Sequence, residues 1–360
     1  DVAPSTLSYN SPNVFTKGQI ISALVPTISG TVVSYSIAPA LPSGLLFDTT
    51  SGVISGTPNV VSSTAIYTVT AINSGGSTSF SVSITVNDVA PSALSYNSPN
   101  VFTVGSSIVD LVPTFSGNVS SFSIAPALPS GLSFDTTSGV ISGTPTTVTP
   151  TATYTVTETN SGGSLSFGIV ITVNDIAPST LSYNSPNVFT VGSSIVNLTP
   201  TFSGNVSSFS ITPSLPSGLS FDTTSGVISG TPTTVTPTAI YTVTALNSGG
   251  STSFGISITV NDVAPSALSY SSPNVFTVGS SIADLVPSFS GDVTSFSIAP
   301  DLSSGLSFDT TSGVISGTPT AISSTTIYTV TAFNSGGSTS FGISITVNDV
   351  APSALSYNSP

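Results

Sequence analysis

Asp-Val-Ala-Pro-Ser opens the chain at Asp1 and returns at Asp88, Asp262 and Asp349, with Asp-Ile-Ala-Pro-Ser at Asp175. The spacing is 87 residues each time, without insertion. A period of 87 is too long for a solenoid unit of roughly 20–50 residues and suits a small domain with its own core. The expected domains are therefore residues 1–87, 88–174, 175–261 and 262–348, as near-copies in series. Copies two and three differ at only 11 of 87 positions. The remaining residues, 349–360, read as the first strand of a further repeat or as a donor strand that completes a sheet in a neighbouring subunit. With no starting Met and no apolar leader, either a signal peptide has been removed or the sequence is a piece of a longer chain.

Each copy reads as all-β. In copy two, Leu94 and Tyr96 alternate with Ser, and Pro99 permits a break before Asn100 to Val104. Ile108 to Phe115 is expected as one strand with Leu111, Pro113 and Phe115 on one face. Phe122 and Ile124 alternate with Ser, and Leu132 and Phe134 lead into the turn Asp135-Thr-Thr-Ser-Gly139. Ala152, Tyr154 and Val156 alternate with Thr, Asn160-Ser-Gly-Gly163 turns the chain, and Leu165 to Val173 is the longest run of period two. Period-two patterning, β-branched residues and frequent turn signals predict a β-sandwich without helix.

Composition then removes most chemistry. There is no His, Cys, Met or Trp, and one Lys or Arg against 14 Asp plus Glu. An imidazole base, a thiolate, a zinc knuckle and a disulfide are all excluded. A net charge of −13 with a single cation, Lys17, excludes a basic patch for nucleic acid. No apolar run reaches the roughly 18 residues of a membrane-spanning helix. Charged residues are 4% of the chain, against about 25% in an ordinary globular protein. Sheet edges are usually guarded by charge, so these Ser- and Thr-rich faces favour self-association.

Leu128-Pro-Ser-Gly-Leu-Ser-Phe-Asp-Thr-Thr-Ser-Gly-Val-Ile-Ser-Gly-Thr-Pro145 recurs at Leu41–Pro58, Leu215–Pro232 and Leu302–Pro319. Leu-Pro-x-Gly-Leu followed by Gly-x-Ile-x-Gly-Thr-Pro resembles the immunoglobulin-like (cadherin-like) tandem repeat family of bacterial surface proteins. The last copy departs from it, with Ser303 in place of Pro. The resemblance implies four tandem Ig-like or cadherin-like sandwiches in an elongated rod, in an extracellular array without catalytic residues. The function expected is structural: a surface stalk, spacer or self-associating filament. The alternative is an adhesin that binds host proteins or surface glycans through its Ig-like domains.

Candidate sites are few, and none is assigned to catalysis, to a cofactor or to a metal. Asp48, Asp135, Asp222 and Asp309 recur at a hairpin and are expected to cap it as Asx-turns. Asp88, Asp175 and Asp262 stand at the domain joints, where cadherins bind calcium. Calcium takes six to eight oxygens and each joint offers one carboxylate, so these are weak candidates and a short Pro-restricted linker is the plainer reading. Asp284, Asp292 and Asp301 occur together only in copy four. Paired carboxylates serve glycosidases, but copies one and three hold amides or neutral residues there. Tyr67, Tyr154, Tyr241 and Tyr328 are expected to take a packing role like that of a tyrosine corner rather than to stack on a ligand.

Overall fold

A computed structural model describes residues 1–357. The chain divides into two compact units, residues 1–175 and 176–360. Four hydrophobic cores form, one per 87-residue copy. All regular elements among the described residues are strands.

The first repeat defines the pattern: β1 (Ser5–Ser8), β2 (Asn13–Thr16), β3 (Thr27–Ser29), β4 (Ser34–Ala38), β5 (Leu45–Phe47), β6 (Ile54–Gly56), β7 (Ser62–Asn73) and β8 (Gly76–Asn87). One layer is a four-stranded sheet in the order β2-β8-β7-β4. Its centre is the long antiparallel hairpin of β7 and β8, which runs from Asn73↔Gly76 to Ser62↔Val86. The strand β2 joins its edge parallel to β8, with Asn13 beside Ile84 and Thr16 beside Asn87. The other layer is made of the pairs β1-β3 and β5-β6, joined by a bridge between Leu24 and Ile54.

Alternation builds the core. Tyr67, Val69 and Ala71 of β7 and Val82, Ile84 and Val86 of β8 point inward, against Leu7, Tyr9, Leu24, Leu45 and Ile54. An Ile such as Ile84, with no exposed surface, contributes about 1.5–3 kcal/mol by leaving water. The same positions are buried in the other three repeats, except that Leu132, Leu219 and Leu306, the counterparts of Leu45, are partly buried; one buried position changes residue type and is described below.

One strand is shorter than the sequence suggests. Within Ile108–Phe115, only Thr114 and Phe115 enter a strand, Thr114–Ser116. Before it, Ile108 and Leu111 donate single backbone bonds to Gly143 and Ile141. Pro113 has no N–H to continue a ladder. Phe115 is 42% exposed, and its ring meets Phe122 edge-on at 5.3 Å.

In the tail, Asp349–Tyr357 forms no strand, and Leu355 and Tyr357 are each 84% exposed. Asn358 to Pro360, the rest of the suggested first or donor strand, lie outside the described residues.

Candidate functional site

The conserved-looking motif is a folding device. Asp48 Oδ1 accepts from the backbone N–H groups of Thr50 and Ser51 at 2.8 and 3.2 Å. These bonds hold its carboxyl below the usual range. Asp135, Asp222 and Asp309 accept from Thr137, Thr224 and Thr311 in the same way, each at 2.8 Å. The turn ends at Gly52, whose φ of +71° suits glycine. A Cβ there would meet the Tyr35 ring and the Tyr9 hydroxyl.

That hydroxyl is the lock of the motif. Tyr9 donates to the Gly52 carbonyl at 2.6 Å, and Tyr96, Tyr183 and Tyr270 donate to Gly139, Gly226 and Gly313 at 2.7, 2.6 and 2.6 Å. Each bond ties the residue that follows the first strand of a repeat to a hairpin 43 residues on. Burial pushes the phenols of Tyr183 and Tyr270 up to about 12. The bond across the sandwich to backbone is made by Tyr9 and its counterparts, and the packing role expected of Tyr67 and its counterparts is a separate one. Tyr67, Tyr154, Tyr241 and Tyr328 are buried in the cores. In the last repeat, the Tyr328 hydroxyl lies 3.1 Å from Ser303, which also donates to Ser323 at 3.2 Å. The departure from Pro at this position is therefore accommodated by two hydroxyl partners.

A second lock was not visible in the sequence. Asn160, in a segment that reads simply as a turn, donates to the carbonyls of Val89 and Asn118 at 2.8 and 2.7 Å. Its own carbonyl accepts from Gly162 at 2.8 Å. Asn73, Asn247 and Asn334 repeat the arrangement. Each fastens the chain where it enters its repeat.

At the joints, Asp88 Oδ2 accepts from the Asn118 amide at 2.9 Å and Oδ1 from the Val89 N–H at 3.0 Å. The Asn118 bond chiefly holds the Asp88 carboxyl low. The Asp262 N–H donates to Ser335 Oγ at 2.8 Å, and its Oδ1 accepts from Val263. Asp175 stands at the same position of the third repeat. One carboxylate already engaged by an amide and a backbone N–H is a poor match to the six to eight oxygens of calcium. No three acids gather as a metal-holding group among the described residues. Asp284, Asp292 and Asp301 are all exposed, in three separate loops.

Two surface features remain. One is a cleft of about 550 Å³ in the second repeat, between the strand Asn100–Thr103 and the segment from Ser106 to Val112. Its counterpart in the third repeat measures about 580 Å³. Both are lined by amides, hydroxyls, aliphatic side chains and one phenylalanine, Phe102 or Phe189, and the first also by Asp110. The other is the outer face of the four-stranded sheet, where hydroxyls pair across β7 and β8. Thr64 and Thr70 lie 2.8 Å from Thr85 and Ser79, and the other repeats carry the same two pairs.

A serine-rich adhesin for platelets from Staphylococcus aureus is 31% identical over 213 residues, which is 57% of this chain and 9% of the adhesin. Another strain's form is 30% identical and is covered over 15% of its length. The chain thus spans a small part of the curated relatives it matches. Among solved structures, the N-terminal eight Ig domains of Down syndrome cell adhesion molecule align with 96% of this chain and 49% of theirs, at 15% identity and a TM-score of 0.38. The immunoglobulin domains 1–5 of Sidekick-1 align with 94% and 79%, at 16% identity and a TM-score of 0.33. The family described as "Putative Ig domain" matches residues 3–87, 84–174, 169–261 and 257–348. The chain belongs to that immunoglobulin-like family, four times over.

Proposed function

We propose that this chain is a non-enzymatic, extracellular segment of a surface protein, and that its repeats serve as a spacer whose sheet faces associate with other copies. The observation that carries this reading is the outer sheet face. It presents paired hydroxyls in every repeat, and the chain has one Lys or Arg with which to guard a face or an edge. Neutral hydroxyl faces cost less to desolvate than charged ones, and charge is the usual defence against sheet-to-sheet pairing. The likeness to a staphylococcal adhesin supports a surface location and a place in an adhesive protein.

Sedimentation velocity of the full chain over a range of concentrations tests the association. The expected result is concentration-dependent growth that persists at high salt, because no ion pairs hold the contacts. Thr157→Lys with Thr244→Lys should abolish it. A chain that stays monomeric at the highest concentration removes self-association and leaves the spacer alone.

A second reading, an adhesive segment that binds neutral glycans, is favoured by the clefts of the second and third repeats. Binding on a glycan array that is lost on Val109→Asp with Val196→Asp supports it. An array without signal removes it.

A further inference from the structure

The second repeat breaks the pattern of its neighbours at one inward position. Ala71, Ala245 and Ala332 are core residues of the other three repeats. The equivalent residue here is Glu158, the chain's one glutamate. Its exposure is 0%, and neither carboxyl oxygen has a hydrogen-bond partner. In the ladder it stands between Phe122 on one side and Leu165 on the other. The residues paired with the three alanines are Thr78, Thr252 and Thr339. The repeat that acquired a carboxyl has therefore also replaced the neighbouring hydroxyl with an aliphatic side chain, and Leu165 packs on the core.

We propose that Glu158 makes the second repeat a proton-sensitive unit, held closed while this carboxyl is protonated and loosened as it ionises. A buried carboxylate without a partner carries a large solvation penalty, whereas the protonated acid carries only that of an unpaired polar group. Nothing within the repeat offsets the charge, since the chain's one cation, Lys17, belongs to the first repeat. The other titratable groups of the second repeat are Asp88, Tyr96, Asp110, Asp135 and Tyr154. Tyr96 follows the first strand of the repeat, Ala93–Ser95, and shares the core with Glu158; its phenol is raised by burial and then by the Glu158 charge. Its hydroxyl is committed to the Gly139 carbonyl at 2.7 Å. Asp88 is engaged by Asn118, Asp110 and Asp135 are exposed, and Tyr154 lies on the same strand as Glu158. All three aspartates are acids, so none supplies a positive charge beside Glu158.

Burial pushes the Glu158 carboxyl above its ordinary value. A group raised in the folded state stabilises fully below its unfolded value, about 4.3 for Glu, and that stability falls as pH rises toward the folded value. The second repeat should therefore be the weakest of the four at neutral and alkaline pH and recover in mild acid. The turn aspartates lose their own contribution in acid, but they do so in all four repeats. The three alanine-bearing repeats thus serve as internal controls.

Calorimetry of the full chain at pH 8 and pH 4.5 tests the proposal. At pH 8 a step of about one quarter of the total enthalpy should precede the rest by on the order of 5–10 °C. At pH 4.5 that gap should narrow. Glu158→Ala, which restores the residue of the sibling repeats, should merge the steps at both pH values. Glu158→Gln keeps the volume and the polar group and should remove only the pH dependence. A glutamate-specific protease locates the weak step, because Glu158 is its one target; cleavage should be faster at pH 8 than at pH 4.5 after correction for the enzyme's own pH profile. Four repeats that melt together in wild type at both pH values would overturn the proposal. So would an early step that survives Glu158→Ala, or one that keeps its pH dependence in Glu158→Gln.

Discussion

The side chains that matter most in each repeat are those whose polar atom reaches across the sandwich. Tyr270 illustrates the point: its ring is core, and its hydroxyl closes a bond to Gly313 at 2.6 Å. Removing the hydroxyl leaves a buried carbonyl unpaired, at a cost of about 1–3 kcal/mol. Tyr270→Phe should therefore lower the stability of the fourth repeat by that amount in denaturant unfolding. Alkali should act on the same bond. Tyr183 and Tyr270 are pushed up to about 12, against about 10 for an unfolded tyrosine. Their neutral form is favoured by folding, so this stability is intact below pH 10 and is lost as pH rises through 12. Spectrophotometric titration should show a late group of tyrosines whose ionisation coincides with loss of the β signal by circular dichroism. Which tyrosine plays this part was not legible in the sequence. Tyr9 and Tyr67 both sit in alternating strands, and only the fold reveals which hydroxyl meets a carbonyl 43 residues away. Glu158 was legible in principle: aligning the four copies sets it against three alanines and sets Leu165 against three threonines. The recurring acids drew attention instead, because they repeat.

Among the elements, the long hairpin of β7 and β8 follows most directly from the sequence, since alternation from Ala65 to Asn73 and along β8 sets a register that buries Val69, Val82 and Ile84 together, with a shift between Ser62 and Ala65. The segment before β3 follows least. Apolar residues at Ile21 and Leu24 suggest a continuous strand, but Pro26 interrupts donation, and the chain meets β6 through the Leu24–Ile54 bridge and a bond from the Ile21 N–H to the Gly56 carbonyl at 3.0 Å. The turn after β7 carries more than a change of direction. Asn160 pins two carbonyls from separate parts of the second repeat, and the sequence Asn-Ser-Gly-Gly announces the turn without announcing the clamp. Asn160→Ala should destabilise the second repeat by about 1–3 kcal/mol. Hydrogen exchange should then rise first around Val89 and Asn118, and exchange unchanged at both sites would refute the clamp.

At the scale of the molecule, four immunoglobulin-like sandwiches repeat the same bonds with the same partners. The acids at the starts of the second to fourth repeats, Asp88, Asp175 and Asp262, are the place where calcium would act if it acted at all. The Asp88 carboxylate is already satisfied by Asn118 and Val89. Melting curves with excess calcium and with chelator should therefore superimpose; a rise in melting temperature with calcium would restore the joint as a metal site. Every repeat also places its second strand beside its last and in the same direction, Asn13 beside Ile84 through Thr16 beside Asn87 in the first, with Lys17 N–H adding a bond to Asn87 at 2.8 Å. Tension applied to the two ends of such a unit drags these neighbours past one another along their length. The whole row of bonds must then shear at once instead of peeling open one at a time.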